Sequence, residues 1–138
     1  MRAMGLDLGK KTIGVAVSDP SGLTAQPVTT IRRTTLNRDI DALLALVEEY
    51  EAGVIVVGLP VNMDGSLGWR SRETLKFVDF LKAKTGAEVV TWDERLSTVA
   101  VTRVLIEGGA SRSRRKAVVD KMAAAYILQG YLDSRKAL

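Results

Sequence analysis

A short apolar segment between two helix-like segments constrains the fold most strongly. Residues 54–57 are four consecutive β-branched residues, which is typical of a strand buried on both faces inside a parallel sheet. The preceding segment, residues 36–52, carries apolar residues at helical spacing, and Gly53 is predicted to end that helix. Residues 69–85 are predicted to form a second helix, whose buried face carries Phe77, Phe80 and Leu81.

The rest of the chain supplies four more strands and two more helices. The strands, short and separated by Gly or Pro turns, are predicted at residues 4–7, 13–18, 24–31 and 87–92. The helices are predicted at residues 97–107 and 114–134. This order predicts an α/β fold within one domain spanning residues 1–138. Its mixed five-stranded sheet has three antiparallel plus two parallel strands, with helices on both faces.

The chain contains neither cysteine nor histidine, and this excludes several kinds of chemistry. Disulfides, thiolate catalysis, Ser–His–Asp systems and the usual zinc sites all need one of these residues. A metal ion would therefore be held by carboxylates, carbonyls and water, which are ligands that suit magnesium, manganese or calcium.

The charge of the chain is positive and unevenly distributed. The net charge is +4 and the isoelectric point is about 9.6. Residues 1–94 carry 11 Lys and Arg against 13 Asp and Glu, whereas residues 95–138 carry 9 against 3. Four cations lie within residues 111–116: Arg112, Arg114, Arg115 and Lys116. This excess favours an anionic partner such as nucleic acid, although a solvated charged segment has the same composition.

Three acids occupy positions where acids are unusual. Asp7 ends the apolar first strand, and Glu94 follows the fifth strand, where ligands gather in open α/β sheets. Asp120 lies within about 60° of the apolar positions of the last helix on a helical wheel. Those positions are Ala123, Ala124, Ile127 and Tyr131.

Each acid also has a structural explanation. Asp7 could start the turn at Gly9, Glu94 could be a loop acid near Arg95, and Asp120 could pair with Lys116 one turn earlier. Considered together, three separated acids and a basic C-terminal third favour a metal cluster that faces an anionic polymer. Two divalent ions held by such acids can support phosphodiester hydrolysis.

Four ordered segments resemble the YqgF family, also called the RuvX or Holliday-junction-resolvase-like family. They are residues 5–19 (GLDLGKKTIGVAVSD), 58–66 (GLPVNMDGS), 93–98 (DERLST) and 119–129 (VDKMAAAYILQ). The resemblance implies a ribonuclease H-like fold and a magnesium- or manganese-dependent nuclease that processes the 5′ end of pre-16S ribosomal RNA. Carried over by motif, the catalytic and metal-binding residues are Asp7, Glu94 and Asp120. Candidate contacts to substrate phosphates are Lys11, Arg70, Arg95, Arg114 and Arg115.

Two other functions remain open at this point: a Holliday-junction resolvase, which needs a dimer for paired cuts, and a non-catalytic RNA-binding module. We expect nucleic acid as the partner, with RNA favoured over branched DNA. We also expect a monomer that can dimerise on substrate, no membrane association and a cytoplasmic location. Asp93 and Asp19 are further acids that could assist the acidic set.

Overall fold

The computed structural model describes residues 1–96 and 112–136; for residues 112–121 and 136 it gives the course of the helix and not the side chains. Five strands form one sheet within this part of the chain. They are β1 (Arg2–Leu8), β2 (Thr12–Ser18), β3 (Ala25–Arg32), β4 (Ala52–Leu59) and β5 (Glu88–Asp93). The sheet order is β3-β2-β1-β4-β5. The pairs β1–β2 and β2–β3 are antiparallel, and β1–β4 and β4–β5 are parallel. The predicted mixed sheet is therefore confirmed.

Three α-helices and one 3₁₀ turn accompany the sheet over the described residues. They are α1 (Leu36–Tyr50), α2 (Trp69–Lys84), the 3₁₀ turn Glu94–Leu96 and α3 (Arg112–Lys136). These bounds differ from the predicted ones by one or two residues. The helix predicted at residues 97–107 lies outside the described residues. In the described part of the chain, no helix is both long and apolar enough to cross a bilayer.

The end of α1 differs from the prediction. The helix begins after Thr35, whose side chain accepts a hydrogen bond from the backbone N–H of Arg38, as an N-cap does. It ends at Glu51, which adopts a left-handed conformation with φ of 52°. Gly53, which was predicted to end the helix, already lies in β4. The prediction was wrong because a non-glycine residue took the left-handed position that usually favours glycine.

The sheet is covered on both faces, as predicted. Alternate residues of β1 point to opposite faces. Met4 and Leu6 pack with α1 and α2, whereas Ala3 packs with α3. Residues 55–57 of β4 are fully buried, since Ile55 and Val57 face one layer of helices and Val56 the other. The run of β-branched residues thus has the doubly buried position that the sequence predicted.

One residue of α2 does not lie where the sequence placed it. Phe77 and Leu81 are buried, but Phe80 is 50% exposed. The buried arc of the helix also includes Thr74 and Val78, and Phe80 lies more than 100° from the middle of that arc at 100° per residue. The spacing places Phe80 within about 60° of Phe77, but Phe77 lies at the edge of the buried arc, so Phe80 falls outside it.

Candidate active site

Asp7 lies in the middle of the sheet, between two glycines. On the β2 side its register partner is Gly14. On the β4 side, Leu6 pairs with Val57, so Gly58 is the neighbour of Asp7, one strand spacing of about 4.8 Å away. Asp7 is only 2% exposed and points to the face covered by α3, because it alternates with Leu6. Glycines on both sides leave room beside this carboxylate, and over Gly58 that room is taken by the side chain of Ile127 and the carboxylate of Glu94.

Glu94 reaches the same place from the end of β5. The strand ends at Asp93, and the 3₁₀ turn begins at Glu94. A β-carbon built on Gly58 would lie 3.0 Å from Glu94 Oε1, so the carboxylate lies over Gly58, the neighbour of Asp7 in the sheet. The structure thus brings together two of the three predicted acids on one face of the sheet, near the carboxyl ends of β1, β4 and β5.

The neighbouring acid, Asp93, has a different role. It binds Arg95 in a two-pronged pair, in which Arg95 Nε lies 3.2 Å from Asp93 Oδ1 and Arg95 Nη2 lies 2.8 Å from Asp93 Oδ2. This hydrogen bonding to Arg95 lowers the pKa of Asp93 and raises that of Arg95. Arg95 Nη1 also donates to the carbonyl oxygens of Asn62 and Met63, at 3.4 Å each. The pair therefore ties the turn that carries Glu94 to the loop after β4.

This arrangement changes the interpretation of Arg95 as a phosphate contact. Its guanidinium is already bound by a carboxylate and two carbonyls. The bidentate geometry is the one in which arginine binds carboxylates most firmly. Arg95 is therefore placed to orient Glu94, and a phosphate would have to share or displace the contacts that it makes.

Helix α3 approaches the sheet unusually closely beside Asp7. A β-carbon on Gly5 would lie 2.8 Å from the backbone oxygen of Ala124 and 2.7 Å from Leu128 Cβ. Ala123, Ala124 and Ile127 are buried, as the helical wheel predicted. Tyr131 is partly buried against the same cluster. The small residues of the helix and the glycine of β1 together permit this approach.

The direction of α3 locates Asp120 along the sheet. Gln129 binds the backbone N–H of Ala25 and the carbonyl of Leu23 at 2.9 and 3.1 Å, at the end of the sheet far from Asp7. The helix therefore runs from the carboxyl end of β1 toward its amino end, and Asp120 is one turn before Ala124 on the side nearer Asp7. Its side chain is not among those described.

Asp19, the other acid that could assist the set, lies away from Asp7 and Glu94. Asp19 follows β2 at the opposite end of the sheet, where it accepts hydrogen bonds from the hydroxyl of Ser21 and the backbone N–H groups of Leu23 and Thr24. These bonds, that from Ser21 first, lower its pKa to about 2. Among the described side chains, no three acids form a group that could hold a metal ion.

The predicted phosphate contacts divide into three groups. Lys11 and Arg70 line an open groove of about 970 Å³ near the carboxyl end of β1. Arg95 is bound to Asp93 as described. Arg114 and Arg115 belong to the first turn of α3, and their side chains lie outside the described set.

The sequence did not reveal a buried ion pair at this groove. Asp39 is 3% exposed and lies 3.4 Å from Arg33 Nε, and its other oxygen accepts the backbone N–H of Thr34 at 3.0 Å. Arg33 also donates to the carbonyl of Gly9 at 2.8 Å. The helical wheel that singled out Asp120 could have found Asp39, which lies about 40° from the buried Leu43 on α1.

Comparison with known proteins identifies the family. The family model described as "RuvX: Holliday junction resolvase" matches residues 1–134. The chain belongs to the RuvX family. It is 57% identical over 136 residues to a Myxococcus xanthus protein named "Putative pre-16S rRNA nuclease", covering 99% of this chain and 90% of that protein. A Clostridium botulinum protein of the same name is 53% identical over 134 residues, covering 97% and 98% of the two chains.

Solved structures confirm the ribonuclease H-like fold that was predicted for this RuvX-family chain. Thermus thermophilus RuvC in complex with a Holliday junction superposes with a TM-score of 0.62 at 15% identity, covering 99% of this chain and 96% of that chain. The fowlpox virus resolvase gives 0.53 at 11% identity, covering 98% and 99%. The predicted class of activity, a nuclease that hydrolyses phosphodiester bonds, agrees with the family description and with the names of the relatives.

Proposed function

We propose that this RuvX-family chain is a divalent-metal-dependent nuclease that processes the 5′ end of pre-16S ribosomal RNA in the cytoplasm. The observation that carries the proposal is the position of Asp7, which is buried between Gly14 and Gly58 with the Glu94 carboxylate extending over Gly58. Asp120 is proposed as the third acid, because it shares a helical face with Ala123 and Ala124, which pack on the sheet beside Asp7.

The donor set fits magnesium or manganese. Both described acids offer only oxygen atoms, and hard cations prefer oxygen ligands. Two carboxylates on one face of a sheet repel each other unless a cation or a proton lies between them. When bound, such ions would activate water and stabilise the leaving oxygen of a phosphodiester.

The chain itself contributes the positions of these oxygens. Asp7 is held by a strand that is paired on both sides, so its backbone cannot shift without disturbing the sheet. Glu94 lies on a single turn, and the Asp93–Arg95 pair fastens that turn to residues 62–63. Rigid positioning of ligands strongly affects the catalytic rate, because a misplacement of about 1 Å can lower the rate roughly 100-fold.

The preference for RNA rests on the names of the relatives. A single-stranded RNA can bring its backbone to a metal site without deformation of a duplex. Junction resolution is the second candidate, favoured by the description of the family model. A resolvase has to place two active sites on opposed strands, which needs a two-fold dimer with a sizeable self-complementary surface.

Labelled pre-rRNA fragments and synthetic four-way junctions separate the two functions. We expect a monomer at micromolar concentration that, with Mn²⁺, cuts single-stranded RNA faster than it makes paired, symmetric nicks in a junction. Sedimentation and cleavage assays on the same preparation provide the measurement. A tight dimer with symmetric junction cleavage would reverse the assignment, and binding of RNA without cleavage in any metal would favour the non-catalytic module.

The basic start of α3 is proposed as a second contact to the substrate backbone. Replacing Arg112, Arg114, Arg115 and Lys116 by Ala should weaken binding evenly across RNA sequences. The slope of log K against log salt should decrease by about 0.7 for each lost contact on a single strand. A variant that lacks four exposed cations elsewhere (Arg38, Lys76, Lys82 and Lys84) is the control and should keep the slope. Equal slopes for the wild type and the α3 variant would show that this segment makes no contact with the substrate phosphates.

A further inference from the structure

The groove near the carboxyl end of β1 has an unusual lining. It lies between the β1–β2 turn, the end of β3 and the first halves of α1 and α2. Two acids line it, Asp39 and Glu73, and the cations outnumber them. The cations are Lys10, Lys11, Arg32, Arg33 and Arg70. Arg33 and Asp39 are paired, and Glu73 lies 3.5 Å from Lys76. The groove therefore retains a clear excess of positive charge.

Most of this charge is available to a ligand. Within the described part of the chain, no ion pair involves Lys10, Lys11, Arg32 or Arg70. Arg33 is different, because Asp39 and the Gly9 carbonyl hold its guanidinium over the ring of Phe77, 5.7 Å from the centroid. Arg33 is thus held in place by its own partners, whereas the other four cations have no ion-pair partner among the described residues.

An exposed aromatic ring forms part of the same wall. Trp69 begins α2 and is 57% exposed, although it lines the groove. Lys10 Nζ lies 6.0 Å from the centroid of the indole ring, in the range of a cation–π contact. A large aromatic surface beside several cations is the combination with which proteins bind single-stranded nucleic acid, since bases stack on the ring and cations follow the phosphates.

The groove and the proposed metal site lie near the same end of the sheet but on opposite faces. Residues of α1 and α2 line the groove, whereas Asp7 points to the face covered by α3. Leu8 and Gly9, which follow Asp7 directly, line the groove. Thr30 lines it as well, and it pairs with Gly14, the register partner of Asp7. The hydroxyl of Thr30 is buried and has no hydrogen-bond partner among the described residues. A strand lying in the groove would therefore have to pass around the carboxyl end of β1 to reach Asp7.

We propose that this groove binds a single-stranded segment of the nucleic acid substrate, with one base stacked on Trp69 and phosphates held by Lys10, Lys11, Arg32 and Arg70. The proposal rests on the proposed nuclease function and adds a binding surface for the strand on the face of the sheet opposite Asp7. A duplex does not fit this role, because its base faces are already stacked and cannot contact an indole ring.

Tryptophan fluorescence provides a direct test. The chain has two tryptophans, Trp69 and the partly buried Trp92. In EDTA, which prevents cleavage, a uridine hexamer should quench the wild-type emission, and Trp69→Phe should lose most of the quenching while it still binds. Trp69→Ala should bind the hexamer about 5- to 150-fold more weakly, the range typical for loss of one stacked base. Phe80→Ala is the matched control, since Phe80 is an exposed aromatic residue of the same helix outside the groove.

Three ligands show which parts of the nucleic acid contribute to binding in the groove. A deoxythymidine hexamer should behave like the uridine hexamer, because stacking does not require the 2′-hydroxyl. Uridine monophosphate should bind much more weakly than either hexamer. Unchanged affinity of Trp69→Ala, an equal loss in Phe80→Ala, or equal affinity for the monophosphate would overturn the proposal. These binding results do not depend on cleavage. If the wild type binds through Trp69 but cuts nothing with Mn²⁺, the proposed nuclease function is contradicted and the proposed groove is not.

Discussion

Replacing Asp7 by Asn is expected to abolish cleavage without unfolding the protein. The substitution keeps the size of the side chain but removes the charge that would bind the metal. Without metal, the melting temperature should stay equal or rise, because a buried carboxylate near Glu94 is penalised by desolvation and by repulsion. Asp120→Asn should also abolish cleavage. Asp79→Asn, at an exposed position of α2, is the control and should cut at the wild-type rate.

Stabilisation by the metal ion should also distinguish these variants from the wild type. A ligand at 100 times its dissociation constant stabilises a folded protein by about 2.7 kcal/mol, so Mn²⁺ or Mg²⁺ should raise the melting temperature of the wild type. The Asp7 and Asp120 variants should gain much less. Thermal melts with and without the ion measure this difference. The metal hypothesis is falsified if either variant cuts at the wild-type rate, or if EDTA leaves cleavage intact.

The framework of the fold was predictable because it depends on local patterns. The β-branched run at residues 54–57 required a buried strand, and the helical wheel of the last helix placed Ala123, Ala124 and Ile127 against the core. Both signals come from the spacing of apolar residues, which burial enforces. The errors arose where one residue had two possible roles. Phe80 is apolar but lies outside the buried arc of its helix. Gly53 could have ended α1, but the helix ends at Glu51.

The groove was not predictable in the same way. Lys10, the Arg33–Asp39 pair and Trp69 are far apart in sequence, and they meet only because the β1–β2 turn, the end of β3 and two helices converge. No local spacing encodes that convergence. The Asp93–Arg95 pair is different, because the two residues are neighbours in sequence. Sequence alone could suggest the pair, but only the contacts of Arg95 with residues 62–63 show that it fixes the turn of Glu94.

Replacing Gly5 by Ala is expected to have the largest effect on stability. The added methyl group would lie 2.7 Å from Leu128 Cβ and 2.8 Å from the backbone oxygen of Ala124. Neither atom is at the end of a flexible side chain, so α3 itself has to move away from β1. Overpacking of this kind typically costs about 1–3 kcal/mol and occasionally more. For a chain of this length, the melting temperature should decrease by roughly 3–10 °C.

The same displacement should also reduce activity, since α3 carries Asp120 one turn before Ala124. Cleavage measured well below the melting temperature separates this effect from unfolding: we expect a rate reduced by about 100-fold if the helix moves by about 1 Å. Gly86→Ala is the matched control, because a β-carbon there meets no atom within 4 Å, and its stability should stay within about 0.5 kcal/mol of the wild type. Wild-type stability and rate in Gly5→Ala would show that the close packing of α3 on β1 is not what positions Asp120 for catalysis.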